Sequence, residues 1–116
     1  MNSVCLVGKL TRHPLVRFEG EGSQVTTFTL AITEPSREGK AFTLYVPCVA
    51  WGRSAEACGT LSREDLIALS GKLCWRKQTD KQGQEKSSLA VNVRELRLLV
   101  AAEVLDEPTA ARPVGW

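Results

Sequence analysis

Three kinds of side chain in this 116-residue chain could do chemistry: cysteines, one histidine, and aromatics interleaved with cations. The cysteines stand at 5, 48, 58 and 74 without C-x-x-C spacing, and His13 is the only histidine. A zinc site needs three or four clustered ligands, so this set predicts no metal and no cofactor. A Ser or Cys nucleophile needs a base, and His13 lies in a different segment from every cysteine. No GxxxxGK phosphate loop is present. The expectation is a protein that is not an enzyme. What remains is Ala41 to Ala57, AFTLYVPCVAWGRSAEA. At period two, Phe42, Leu44, Val46, Cys48 and Ala50 point one way and suit a core. Thr43, Tyr45, Pro47, Val49 and Trp51 point the other way, with Gly52 and Arg53 next in the chain. Outward Tyr45 and Trp51 with a guanidinium at the end suit a flat π-bearing partner on a charged backbone. A subunit interface or a second sheet layer would suit the same face.

Other segments must position these side chains. Residues 3–10, SVCLVGKL, are β-branched and apolar and predict a first strand, with Gly8 at a bulge or bend. Pro14, Gly20 and Gly22 punctuate residues 11–22, while Leu15, Val16 and Phe18 let strand one curl onward. Residues 24–33 predict a second strand whose core face is Phe28, Leu30 and Ile32. The third is Ala41–Trp51. Residues 54–61 predict a short helix, with Ser54 placed to cap it and Gly59 to end it. Residues 66–78, broken at Gly71, and 88–99 predict strands four and five around the loop TDKQGQEKS. Leu89, Val91 and Val93 share one parity and Leu96 and Leu98 the other, which predicts a bulge near Arg94–Glu95. Five strands with a helix between the third and fourth make the expected class all-β, a five-stranded OB-fold barrel whose strand two and three face binds oligonucleotides.

The length fits one domain with one modest core. The net charge of +2 divides unevenly: residues 1–100 carry +4 and residues 101–116 carry −2. Residues 72–86 hold five Lys/Arg against two acids, which suits an electrostatic track for phosphates. Arg37, Lys40 and Lys72 join that set of candidate binding cations. Cys5, Cys48 and Cys74 lie in apolar strands and are expected to be small core hydrophobes in a reducing compartment. MNSVCLVGKL lacks a charged leader and no run approaches a membrane span, so a cytoplasmic protein without membrane contact is expected. Residues 101–116 lack periodicity and predict a disordered tail after a domain of residues 1–100.

Four segments, in order, resemble the bacterial single-stranded DNA-binding proteins: SVCLVGKLTRHPLVRF, VTTFTLAIT, LYVPCVAWGRSAE and LSGKLCWRKQTDKQGQEK. The resemblance covers about residues 2–99. It implies an OB-fold that coats single-stranded DNA in replication, recombination and repair, without catalysis and as a homo-oligomer, a tetramer or a dimer. It places Tyr45 and Trp51 at stacking positions, Arg53 at a basic position, and Arg76 and Lys77 on the hairpin arm. It also implies replication or repair proteins as partners.

The departures are specific. Two further stacking positions fall at Ser36 and Gln78, and neither is aromatic. Trp75 shares parity with Leu73, so it is expected to cap the barrel's end or face another subunit. The family's tail ends in acids and a hydrophobic tip, whereas this sequence reads ARPVGW there. These departures keep open a primosome-like OB module whose outer face serves protein contacts; an RNA-binding module stays open because stacking barely distinguishes DNA from RNA.

Overall fold

A computed structural model gives the structure of residues 1–20 and 22–102; residues 103–116, most of the expected tail, lie outside the described residues. Six strands and one helix follow in order: β1 Val4–Leu10, β2 Leu15–Glu19, β3 Ser23–Pro35, β4 Ala41–Trp51, α1 Arg53–Gly59, β5 Leu66–Thr79 and β6 Glu85–Val100. The hydrogen-bonded order β1-β5-β6-β4-β3 closes because β1 also pairs with β3, Lys9 opposite Ala31 and Leu10 opposite Leu30. The result is a closed five-stranded barrel with one short helix between β4 and β5, as an OB-fold requires. The extra strand is β2. Leu15 to Glu19 do not prolong β1; they form a separate strand against Thr27 to Ser23 of β3. Among the described residues, no helix is long and apolar enough to cross a membrane.

Gly8 stands where β1 leaves β5 and turns onto β3. A Cβ there would run into the Ala31 carbonyl and the Leu30 and Ile32 side chains, so only glycine lets the strands approach this closely. Gly71 answers the same need on β5, against the carbonyl of Asn92. Opposite it, the register steps from Ser70–Glu95 to Gly71–Val93, leaving Arg94 as the extra residue. This is the bulge that the parity change predicts. It returns Leu96 and Leu98, opposite Leu69 and Ile67, to the face shared by Val91 and Val93.

The core gathers Leu10, Phe28, Leu30, Ile32, Cys48, Ala50, Ile67, Leu69, Val91 and Val93 inside the barrel. One end is plugged by α1, which buries Ala55 and Cys58 completely. Gly52 is the N-cap, with φ 61°. That left-handed backbone favours glycine and turns the chain sharply out of β4. Ser54 is not the cap: its hydroxyl donates to the Arg94 carbonyl at 3.0 Å and ties the helix to the bulge of β6. The buried Thr26 hydroxyl donates to the Ala55 carbonyl at 2.8 Å, satisfying one of the helix's carbonyl groups.

Several burial expectations are corrected. Cys5 is exposed on the outer face of β1 and Cys74 is half-buried, whereas Cys58 is fully buried. Burial pushes both the Cys48 and Cys58 thiols up to about 12, with the nearby Cys58 a second influence on Cys48. Both therefore behave as neutral small hydrophobes. Phe42 and Leu44 point to the core side yet stand about half exposed. They lie near the start of β4, opposite Glu34 and Ile32 of β3, before β4 meets β6 at Cys48. Val49 points outward yet is 3% exposed. It sits between Thr27 of β3 and Asn92 of β6, so neighbouring strands flank it on both sides.

Candidate nucleic-acid interface

Two grooves on the outer face of the barrel hold candidate residues, and β4 contributes to both. The first has a volume of ≈ 360 Å³ and lies between β2 and the β5–β6 hairpin. Val25 and Val49 form its buried floor. Trp51 stands 47% exposed on its wall, positioned because β4 ends there, opposite Val25, before the Gly52 turn. Arg76, Lys77 and Trp75 reach the groove from β5, Arg17 and Glu19 from β2, and Asn92 from β6. The second groove, ≈ 570 Å³, brings together Tyr45, Lys9, Thr11, Ala31, Thr33 and Glu64 among others. Tyr45 and Trp51 share the outward parity of β4. At ~3.3 Å per residue they lie about 20 Å apart along the strand. Thr27 and Thr29 of β3 pair with Val49 and Pro47 between them.

The Arg76 guanidinium is the most telling group in the first groove. Its Nε is buried without a hydrogen-bond partner among the described residues. Its charge meets no carboxylate either, since the ion pairs there are Arg63–Glu64 and Lys86–Asp80. A planar cation lining the same groove as an exposed indole can hold an anionic oxygen through its terminal N–H groups while a flat ring lies on the tryptophan. Such an arrangement offers a backbone phosphate and a base their two preferred contacts.

Not every candidate residue converges on the grooves. Lys72 is exposed on the outer face in register with Asn92. Arg53 opens α1 just past Trp51 and is exposed. Arg37 and Lys40 sit on the tight β3–β4 turn, where the Ser36 N–H donates to the Lys40 carbonyl at 2.8 Å, and line neither groove. Ser36 shares that turn, and Gln78 is exposed near the tip of β5. Trp75 does share the face of Leu73 and Leu89, as parity predicts. It does not cap the barrel's end, however: it is 70% exposed, which leaves the expected contact with another subunit open. Residues that sequence reasoning passed over are Lys9, Arg17 and Asn92. Lys9 and Arg17 were legible from parity, being opposite to Gly8 and Leu10 on β1 and paired with Val25 through β2. Asn92 was hidden within the apolar run of β6.

The profile of the single-strand binding protein family matches residues 1–99. The single-stranded DNA-binding protein of Clostridium tetani is 36% identical over 102 residues, 85% of this chain and 70% of that protein. That of Caldanaerobacter subterraneus is 33% identical over 85% of this chain and 68% of its own length. Single-stranded DNA-binding protein A of Bacillus subtilis is 33% identical, again over 85% of this chain, but over 59% of its own length. The barrel, the helix between β4 and β5, and a match that spans every strand agree: the chain belongs to the single-strand binding protein family.

Proposed function

We propose that this protein binds single-stranded DNA with low sequence specificity and without catalysis, in replication, recombination or repair in the cytoplasm. The strand runs over the outer face of β4. Its bases stack on Tyr45 and Trp51, and its phosphates meet Arg76 and Lys77 first, then Lys72 and Arg53, with Arg37 and Lys40 adding a weaker, screened attraction from the β3–β4 turn. The observation that carries this is one groove lined by the half-exposed Trp51 and by an Arg76 guanidinium that meets no carboxylate among the described residues. Fluorescence anisotropy of labelled oligo-dT, run beside oligo-U and duplex DNA, tests it. Trp51→Ala is expected to cost roughly 1–3 kcal/mol of affinity for oligo-dT, the range of one base–aromatic contact. Trp51→Phe is expected to retain much of it, because a π-face remains. Wild-type affinity in Trp51→Ala would remove the stacking role.

The same reading includes a homo-oligomer, a tetramer or a dimer. From Val4 to Gly8, β1 is paired along one edge only. Beside that edge lies a shallow apolar patch of Cys5, Val7 and Ala68, bounded by Glu95 and Arg97. An open strand edge and an apolar face in so small a domain favour association with another copy. Light scattering is expected to report two or four chains at micromolar concentration, and a monomer there would remove the claim. A second reading, a primosome-like module for protein contacts, is favoured by Phe42, Leu44, Leu73, Trp75 and Leu89, all exposed. It gains ground if Trp51→Ala breaks the oligomer while DNA affinity holds.

A further inference from the structure

The β5–β6 hairpin reaches the Trp51 groove from both of its faces. Parity puts Cys74, Arg76 and Gln78 on the outer face, and Leu73, Trp75 and Lys77 on the inner face with Leu89. Yet Trp75 and Lys77 line the groove together with Cys74 and Arg76. The groove therefore opens onto the edge of the hairpin and does not stop at its outer face. Asn2 marks where that edge comes free: its Nδ2 donates to the Leu73 carbonyl at 2.9 Å, and its Oδ1 accepts from the Leu73 N–H at 2.8 Å. Among the described residues, β5 pairs with β6 alone from Cys74 to Thr79, and β6 with β5 alone from Glu85 to Ala90. Beyond Leu73 the hairpin is a two-stranded ribbon with open edges.

The inner face of this ribbon holds a ring and a cation together. Trp75 is 70% exposed, more than Trp51. Leu89 is its cross-strand partner, and Lys77 follows two residues on along the same face. A cross-strand partner stands about 5 Å away and a same-face neighbour on one strand about 7 Å. Leu89 is thus close enough to steady the indole, and Lys77 to hold a phosphate beside a base lying on it. On the outer face near the tip, Gln78 offers no ring. Residues 72–86 hold five Lys/Arg against two acids, a charge that suits a phosphate backbone. A second copy of this chain would bring the same cations against themselves across a two-fold axis, which disfavours it as the occupant.

The spacing lets one strand use both indoles. Val49, Asn92 and Lys72 form a row across β4, β6 and β5. Trp51 lies two residues from that row, and Trp75 three residues from it in the opposite direction. With two strand spacings between them, the rings are on the order of 20 Å apart along the sheet. An unstacked strand drawn out to about twice the 3.4 Å per nucleotide of a duplex strand covers this in roughly three steps, within the ~4–16 nucleotides of one OB-fold. Resting on the single-strand reading above, we propose that Trp75 is a stacking site on the inner face of the hairpin. A single strand leaves Trp51, passes Arg76, crosses the hairpin's edge and lays a base on Trp75, with Lys77 at the adjoining phosphate. DNA then wraps the hairpin on both faces.

The test uses the full chain and an oligo-dT of about 16 nucleotides, long enough to meet both rings. The chain has three tryptophans, so Trp51→Phe with Trp116→Phe leaves Trp75 as the only indole. Its emission is expected to be quenched as oligo-dT saturates the protein. By anisotropy, Trp75→Ala and Trp75→Leu are expected to bind roughly tenfold more weakly than wild type, the scale of one base–aromatic contact. Trp75→Phe keeps a π-face and is expected to stay within about threefold of wild type. Light scattering is expected to count the same number of chains in all of them. Leucine satisfies an apolar contact but not a stack, so wild-type affinity in Trp75→Leu overturns the proposal. Unquenched Trp75 emission with DNA bound does the same. An oligomer broken by Trp75→Ala also overturns it, and gives the inner face to a second copy. If the wild type fails to bind oligo-dT, the single-strand reading falls and this proposal with it. If it binds while Trp75 emission stays unchanged, only the inner-face site falls.

Discussion

The two ends of the barrel are built from strands of the same alternation and end up opposite in character. At one end, α1 closes over the inward side chains, so that Ala55 and Cys58 are completely buried and Leu61 nearly so. At the other, β4 and β6 begin and β5 ends, and the hairpins β3–β4 and β5–β6 run on past the barrel. Their inward positions are as apolar as the core: Phe42 and Leu44 on one hairpin, Leu73, Trp75 and Leu89 on the other. Nothing among the described residues covers them, and all five stand about half exposed or more. Alternation fixes the direction of a side chain, whereas burial needs a second element to arrive on that side. The helix supplies it at one end only. The barrel body should therefore carry the stability, and the hairpins should be free to serve contacts.

The largest expected effect comes from that contrast. Ile67→Ala removes a fully buried side chain from the middle of the barrel and is expected to cost about 2–5 kcal/mol in denaturant unfolding. Trp75→Ala and Leu89→Ala delete larger or similar side chains from the exposed hairpin and are expected to change stability by about 0.5 kcal/mol or less. If Trp75→Ala instead costs as much as Ile67→Ala, and the melting temperature depends on protein concentration, the open end is a subunit interface. The contrast between the ends would then belong to the isolated chain and not to the assembly.

The same contrast explains what was legible in the sequence. The strands and the helix could be read because parity, turn residues and strand breaks depend on near neighbours. Even the bulge at Arg94 showed, as a change of parity between Val93 and Leu96. The separate identity of β2 was missed because all five of its residues are exposed, so no alternation marks it, and only its pairing with β3 defines it. Burial was misjudged wherever closure decided it. Cys5 lies on an apolar strand but faces outward, and Val49 faces outward but is walled in by Thr27 and Asn92. For the candidate site, Tyr45 and Trp51 stood out as aromatics on the outer parity of a strand. That Trp51, Arg76 and Asn92 share one groove could not be read, because β4, β5 and β6 meet there only through the closed topology.

A smaller effect separates the two hairpins from each other. Both carry cations, but only the β5–β6 hairpin brings them to the Trp51 groove: Arg76 and Lys77 line it, while Arg37 and Lys40 sit on the β3–β4 turn away from both grooves. Single-strand affinity falls with salt by a log–log slope of about −0.7 for each phosphate neutralised. Replacing Arg76 and Lys77 together by alanine is expected to flatten that slope by about one unit or more, since two phosphate contacts are lost. Replacing Arg37 and Lys40 together removes the same formal charge from the tip of the other hairpin, where exposed cations are largely screened beyond ~10 Å at 0.1 M salt. That pair is expected to change the slope by less than about 0.7, the value of one phosphate. The comparison is informative because net charge is identical in the two double variants. A long-range field would respond equally to both, whereas a track of direct contacts responds only where the cations line the groove. Equal flattening by the two pairs would extend the phosphate track onto the β3–β4 turn. An unchanged slope in Arg76→Ala with Lys77→Ala would move it off the β5–β6 hairpin altogether.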